Sequence, residues 1–144
     1  LQATILASIV EEETTRKDDK YKIASTYLNR LKIKMKLQAC PTAKYVSRNF
    51  QLDRITEKQT SLVSPFNTYL NEGLPPGPIC TPSIESVDAV LDAPATDYLY
   101  FVASYAFDGS TIFTGNYDDH MKYARMFQAE QRRRADSVKK ARSK

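Results

Sequence analysis

The sequence predicts an α+β fold: N-terminal helices, a long irregular region that forms a groove, a small antiparallel sheet and a long C-terminal helix. Three observations predict it. Apolar residues recur at helical spacing over residues 3–15 and again from Asp18 or Asp19 to about Met35. The aromatic and β-branched run Tyr98–Ser104 precedes the turn pair Asp108-Gly109. A last helical pattern starts near Tyr117 and runs beyond Arg134.

In the first helix the apolar stripe is Ile5, Leu6, Ile9 and Val10. In the second, capped by Asp18 or Asp19, the stripe is Ile23, Ala24, Tyr27, Leu28, Leu31 and Met35. Pro41 opens a loop or a short helix through Tyr45. Residues 49–82 are rich in Pro, Asn, Thr, Ser and Gly and have little periodicity, yet their aromatic and apolar content argues against disorder. Ser83, with Glu85 behind it, caps a helix over roughly 84–92. Tyr98–Ser104 reads as a strand buried on both faces, with Ser110–Thr114 pairing back to it as a hairpin. There are no repeats and no low-complexity segments.

The 144 residues suffice for one domain with a core, and no run of eighteen apolar residues is present to span a membrane. No signal peptide is visible, and the chain opens inside a helical pattern without Met, which reads as a piece of a longer protein. The net charge of +4 is unevenly held. Residues 132–144 carry seven basic side chains and Asp136, which leaves residues 1–131 at −2. We read the basic run as a solvated helix end whose cations suit the helix dipole, and expect no nucleic-acid partner. Cys40, Cys80 and the single His120 make no metal-binding pattern, so no metal and no cofactor is expected.

Chemistry is suggested by the run Glu11-Glu12-Glu13. Glu13 lies four residues after Ile9 and three after Val10, within the inward stripe; Glu12 faces out, and Glu11 lies on a small-residue flank after Thr4 and Ala7. A carboxylate on a core-facing stripe is costly unless paired or functional, and desolvation there suits a general acid. The plainer reading is that Glu13 ends its helix near solvent or pairs with Arg16, Lys17 or Arg30.

Five ordered motifs add to this. They are Ala7-Ser8-Ile9-Val10-Glu11-Glu12-Glu13-Thr14, Ala24–Leu31 with Asn29-Arg30-Leu31, and Leu37-Gln38-Ala39-Cys40-Pro41-Thr42. Then come Ser64-Pro65-Phe66-Asn67-Thr68-Tyr69 with Gly73-Leu74-Pro75-Pro76-Gly77-Pro78-Ile79, and Tyr98–Ala103. Together, over about residues 3–120, they resemble the YceG-like family, the endolytic murein transglycosylases. The sequence departs from that pattern where Cys40 replaces an Asp and where Thr111 stands at a position often held by His.

The resemblance implies one catalytic Glu on the first helix. Glu13-Thr14 is similar to the Glu-Ser pair of soluble lytic transglycosylases, so Glu13 is chosen, with Glu11 as the fallback and as a substrate-binding residue. Gln38, Asn67, Thr68 and Tyr69 are expected to line a sugar groove, and Asn29 and Arg30 to brace the glutamate helix. The implied reaction cleaves the MurNAc–GlcNAc bond and leaves 1,6-anhydroMurNAc ends. The alternatives are a muramidase-type hydrolase and a non-catalytic wall-binding module. The implied organisation is a catalytic domain over 1–131 and a basic helix end over 132–144, with an anchor and accessory domain upstream of this fragment. That would hold the domain outside the inner membrane on a single-pass anchor, acting on peptidoglycan strands beside the cell-wall synthesis machinery. In that oxidising setting a Cys40–Cys80 disulfide is also expected, if the two loops pack together.

Overall fold

The computed structural model describes residues 1–52 and 54–143. Asp53, in the irregular region, and Lys144, the last residue of the basic run, lie outside the described residues. The chain divides into two compact units, Leu1–Thr96 and Asp97 onward, each described by itself.

The first unit holds α1 (Gln2–Glu13), α2 (Lys17–Lys32), α3 (Cys40–Ser47), α4 (Glu57–Thr60) and α5 (Ile84–Leu91). Helix α1 has no side-chain cap at its N-terminus and is buried continuously from Ile5 to Val10. It packs against α2, α3 and α5, so tertiary burial rather than end chemistry keeps it helical. The core joins Ile5, Leu6, Ile9 and Val10 to Ile23, Ala24 and Tyr27 of α2, Leu37 and Ala39 beyond it, Ala43 of α3, Ile79, and Ala89 and Val90 of α5.

Helix α2 starts at Lys17, which puts Asp18 and Asp19 in its first turn, where acidic residues suit the dipole, rather than at the cap. It stops at Lys32, short of Met35, because the chain turns through a left-handed Lys34 (φ 58°) and the Met35 amide closes on the Arg30 carbonyl at 2.9 Å. Pro41 falls in the first turn of α3, which runs on to Ser47. Ser83 caps α5 as expected, accepting from the Ser86 amide at 3.2 Å. Residues 49–82 contain only the single-turn α4 as regular structure among the described residues.

The second unit is a hairpin and a helix. Strands β1 (Tyr100–Ala103) and β2 (Thr111–Thr114) pair antiparallel with Phe101 opposite Phe113, and α6 (Tyr117–Arg142) follows. The strand expected to be buried on both faces is half-buried at 100–102 and exposed at Ala103, since a two-stranded ribbon has no second layer to bury its other side. Tyr98 stacks on Phe113, and Tyr100 stacks on His120 with centroids 5.0 Å apart. Gly115 lies so close to Asp97 that a Cβ there would stand 2.6 Å from the Asp97 carbonyl oxygen. Asn116 caps α6 by accepting from the amides of Asp118 and Asp119. The basic residues from Arg132 continue α6 without a break as an exposed helix.

Candidate active site

Two carboxyls two residues apart on α1 are driven in opposite directions. Glu11 faces α2 and α5. It accepts from Lys20 Nζ at 3.1 Å, from Ser83 Oγ at 2.9 Å and from Ser86 Oγ, while Lys20 also pairs with Glu85 at 3.2 Å. These bonds, that of Ser86 above all, hold the Glu11 carboxyl below the usual range although burial opposes them. Glu11 therefore joins three helices, and its carboxylate is engaged within the protein. Glu12 is exposed.

Glu13 closes α1 and is partly buried. The hydroxyl of Tyr27, a residue only 2% exposed, donates to Glu13 Oε1 at 2.5 Å. That bond and the charges of Lys44 and Arg30 favour the ionised form, but burial outweighs them and pushes Glu13 up to about 7. Tyr27 is itself raised well above its ordinary value by burial and by Glu13, so it remains a proton-bearing donor.

Cys40, the first residue of α3, and Tyr69, from the irregular region, face this pair. Their thiol and hydroxyl stand 3.2 Å apart. Both are raised, first by burial and then by neighbours that include the Glu13 charge. The cluster around Glu13 thus comprises two phenols, a thiol and the cations of Lys44 and Arg30.

Of the residues singled out from the sequence, Glu13 and Tyr69 come together here. Gln38 is exposed in the loop entering α3, in a left-handed conformation (φ 48°), with its amide bonded to the Thr68 carbonyl at 3.2 Å. Asn67 and Thr68 are buried instead of lining a groove. The Asn67 amide group donates to the carbonyls of Thr60 and Leu62, and its Oδ1 accepts from the Tyr69 amide at 3.0 Å. Thr68 Oγ1 accepts from the Ala39 amide at 2.9 Å and shares a 2.8 Å bond with Thr42 Oγ1. These two residues hold the wall that presents Tyr69. Asn29 donates to the Thr96 carbonyl at 3.0 Å, and Arg30 to the carbonyls of Lys36 and Leu37. They therefore brace the end of the first unit and the turn after α2, and the Arg30 charge also acts on Glu13 at the end of α1.

Both cysteines are free, against the expected disulfide. Cys40 meets Tyr69 on the Glu13 side, whereas Cys80 donates to the Ser8 carbonyl at 3.3 Å and feels Glu12 and Glu11, so the thiols serve different faces of α1. Tyr27 and Lys44 were not singled out from the sequence as site residues. The signal for Tyr27 was its place on an inward stripe, because a buried phenol needs a polar partner.

The model of the YceG-like family matches residues 1–126. The chain belongs to the YceG-like family. An endolytic murein transglycosylase of Bacillus subtilis is 45% identical over 117 residues, covering 81% of this chain and 32% of that protein. One from Streptococcus pneumoniae is 34% identical over 119 residues, covering 80% of this chain and 21% of its own length. A crystal structure of a YceG-like protein from Listeria monocytogenes superposes with a TM-score of 0.74 at 38% identity, covering 82% of this chain and 37% of that one. The YceG-like region described here thus spans about a third or less of the curated relatives' length. Among the described residues no helix is long and apolar enough to cross a membrane, and no cluster of His, Cys, Asp or Glu is arranged to hold a metal ion.

Proposed function

We propose that this YceG-like domain cleaves the glycan strands of murein as an endolytic lytic transglycosylase, with Glu13 as acid and then base. The observation that carries the reading is the opposite tuning of Glu11 and Glu13. The one carboxyl raised to about 7 is the one beside a buried phenol donor and two cations. The names of the curated relatives support the substrate class.

Protonated Glu13 gives its proton to the oxygen bridging MurNAc C1 to GlcNAc, and the C1–O bond breaks toward an oxocarbenium-like centre. The resulting carboxylate takes the proton of the MurNAc C6 hydroxyl as that oxygen bonds to C1. The product is a 1,6-anhydroMurNAc end; Glu13 regains its proton and no water is consumed. Tyr27 keeps Oε1 engaged throughout, so Oε2 is the oxygen that exchanges the proton. Lys44 and Arg30 stabilise the carboxylate formed between the two steps. The exposed Gln38 and the ring of Tyr69 are the groups offered to the sugars, while Glu11, Asn67 and Thr68 fix the elements around them. A binding module would not need a carboxyl poised at this value.

In the whole protein we place the domain outside the cytoplasmic membrane on a single-pass anchor, with murein strands as substrate and the cell-wall synthesis machinery as neighbour. The test is product analysis on intact glycan strands. Anhydro ends, lighter than reducing ends by one water and free of solvent ¹⁸O, are expected. Reducing ends carrying ¹⁸O would replace this reading with the muramidase.

A further inference from the structure

Two hollows lie on the first unit away from Glu13. One, of about 500 Å³, is lined by Gln2 and Ile5 of α1, Leu31 of α2, and Leu74 and Pro75. The other, of about 270 Å³, shares Leu31 and adds Lys34, Met35, Glu72 and Gly73. The shared residue makes them neighbours. Ile5 and Glu13 both belong to α1, and Tyr27 and Leu31 both belong to α2, so the hollows are lined by helices that also carry the Glu13 site. Eight residues of helix separate Ile5 from Glu13, roughly 12 Å along α1. That distance is within the reach of a glycan strand seated at Glu13.

The chemistry of the hollows is mixed. Leu31, Met35, Leu74 and Pro75 supply apolar surface, and one cation and one anion, Lys34 and Glu72, line the smaller hollow. Neither charge belongs to an ion pair among the described residues. Lys34 holds a left-handed conformation at the end of α2, a place that ordinarily takes glycine. Strain of this kind concentrates at working sites. Gly73, also left-handed (φ 81°), leaves open space where a Cβ would stand. A site with apolar walls, a free cation and a free anion does not match a neutral sugar. It matches an aliphatic peptide that carries both carboxylate and ammonium groups.

We infer that the paired hollows around Leu31, Lys34 and Glu72 form a subsite for the peptide stems carried by murein glycan. Lys34 meets a stem carboxylate, Glu72 a stem ammonium, and Leu31, Leu74 and Pro75 the aliphatic side chains. The inference rests on the murein-cleaving role proposed above and adds to it a preference for strands that keep their stems.

The test measures binding by the full chain carrying Glu13→Gln, which holds strands without cutting them. Stem-bearing strands are compared with the same strands stripped of peptide. Stem-bearing strands are expected to bind roughly tenfold more tightly, the scale of one hydrogen bond to a charged group. Adding Lys34→Gly, which suits the backbone and so preserves the fold, removes the difference while leaving affinity for stripped strands unchanged. Glu72→Gln weakens only the stem-bearing strands. Equal affinity for the two strands, or a Lys34→Gly effect of the same size on both, overturns the subsite and leaves the proposed reaction standing. Failure to bind either strand overturns the proposed reaction and the subsite with it.

Discussion

Replacing Glu13 by Gln is expected to abolish cleavage and, at the same time, to make the protein more stable above neutral pH. The unfolded carboxyl titrates at its ordinary 4.5 and the folded one at about 7. As pH rises from 4.5, the unfolded chain loses this proton first, so the folded state holds more protons across that window and stability falls. At 1.36 kcal/mol for each of the 2.5 pH units between the two values, the loss reaches at most about 3.4 kcal/mol above pH 7. That is an upper bound, because water reaches the partly buried carboxyl. Gln has nothing to ionise, and its carbonyl oxygen still accepts from Tyr27, so the variant escapes the loss.

The assay is thermal unfolding of both proteins by calorimetry at pH 4.5, 6 and 8. The Tm difference should be small at pH 4.5 and grow to as much as roughly 10 °C in favour of Glu13→Gln at pH 8 for a chain of this size. Taking the difference cancels groups common to both proteins, such as Glu11 and Lys20. A difference independent of pH would refute the reasoning, because Glu13 would then titrate like an exposed carboxyl. A variant that is more stable yet inactive shows the cost that a desolvated acid imposes on the fold.

Other outcomes follow from the same contacts. Activity should fall about tenfold per pH unit above pH 7 as Glu13 loses its proton, and Tyr27→Phe, which removes the bond favouring the carboxylate, should move that fall upward by about one pH unit; an unmoved profile would exclude Tyr27 from setting the proton's affinity. Glu11→Gln should lower stability at pH 7 by about 1–3 kcal/mol through lost charge-assisted bonds to Lys20, Ser83 and Ser86, while the alkaline fall in activity stays in place; urea unfolding and a pH–rate profile read the two effects separately. Deleting residues 135–144, an exposed helix end, should leave turnover on soluble glycan unchanged, and a large loss would show that α6 takes part in the site.

The sequence made the frame legible wherever one periodicity ran long enough. The inward stripes of α1 and α2, the Ser83 cap and the Asp108-Gly109 hairpin stand where they were read. Glu13 was legible for the same reason, since a stripe position is a statement about burial. The irregular region was not. Whether Asn67 and Thr68 face a sugar or the interior depends on partners as distant as Thr42 and Ala39, and no local period encodes those pairings. The end of α2 and the burial of β1 differ from the sequence pattern because a left-handed Lys34 and an uncovered ribbon face are decided by tertiary surroundings, not by side-chain pattern.

The buried polar residues of the irregular region have a consequence for chemistry. A loop lined only by apolar contacts can slide by small increments. One pinned by Asn67 to the carbonyls of Thr60 and Leu62, and by Thr68 to Ala39 and Thr42, has a single arrangement that satisfies its donors and acceptors. Tyr69 follows directly from Asn67 through its amide bond and meets Cys40 at the mouth of α3. The Glu13 carboxyl therefore experiences a fixed set of neighbours: a phenol from α2, two cations, and a thiol and second phenol locked by the loop. A fixed environment allows one carboxyl to be neutral enough to donate a proton and, once ionised, stabilised enough to take one back, so in the proposed reaction the rigidity of the loop is part of how a single Glu would serve both steps.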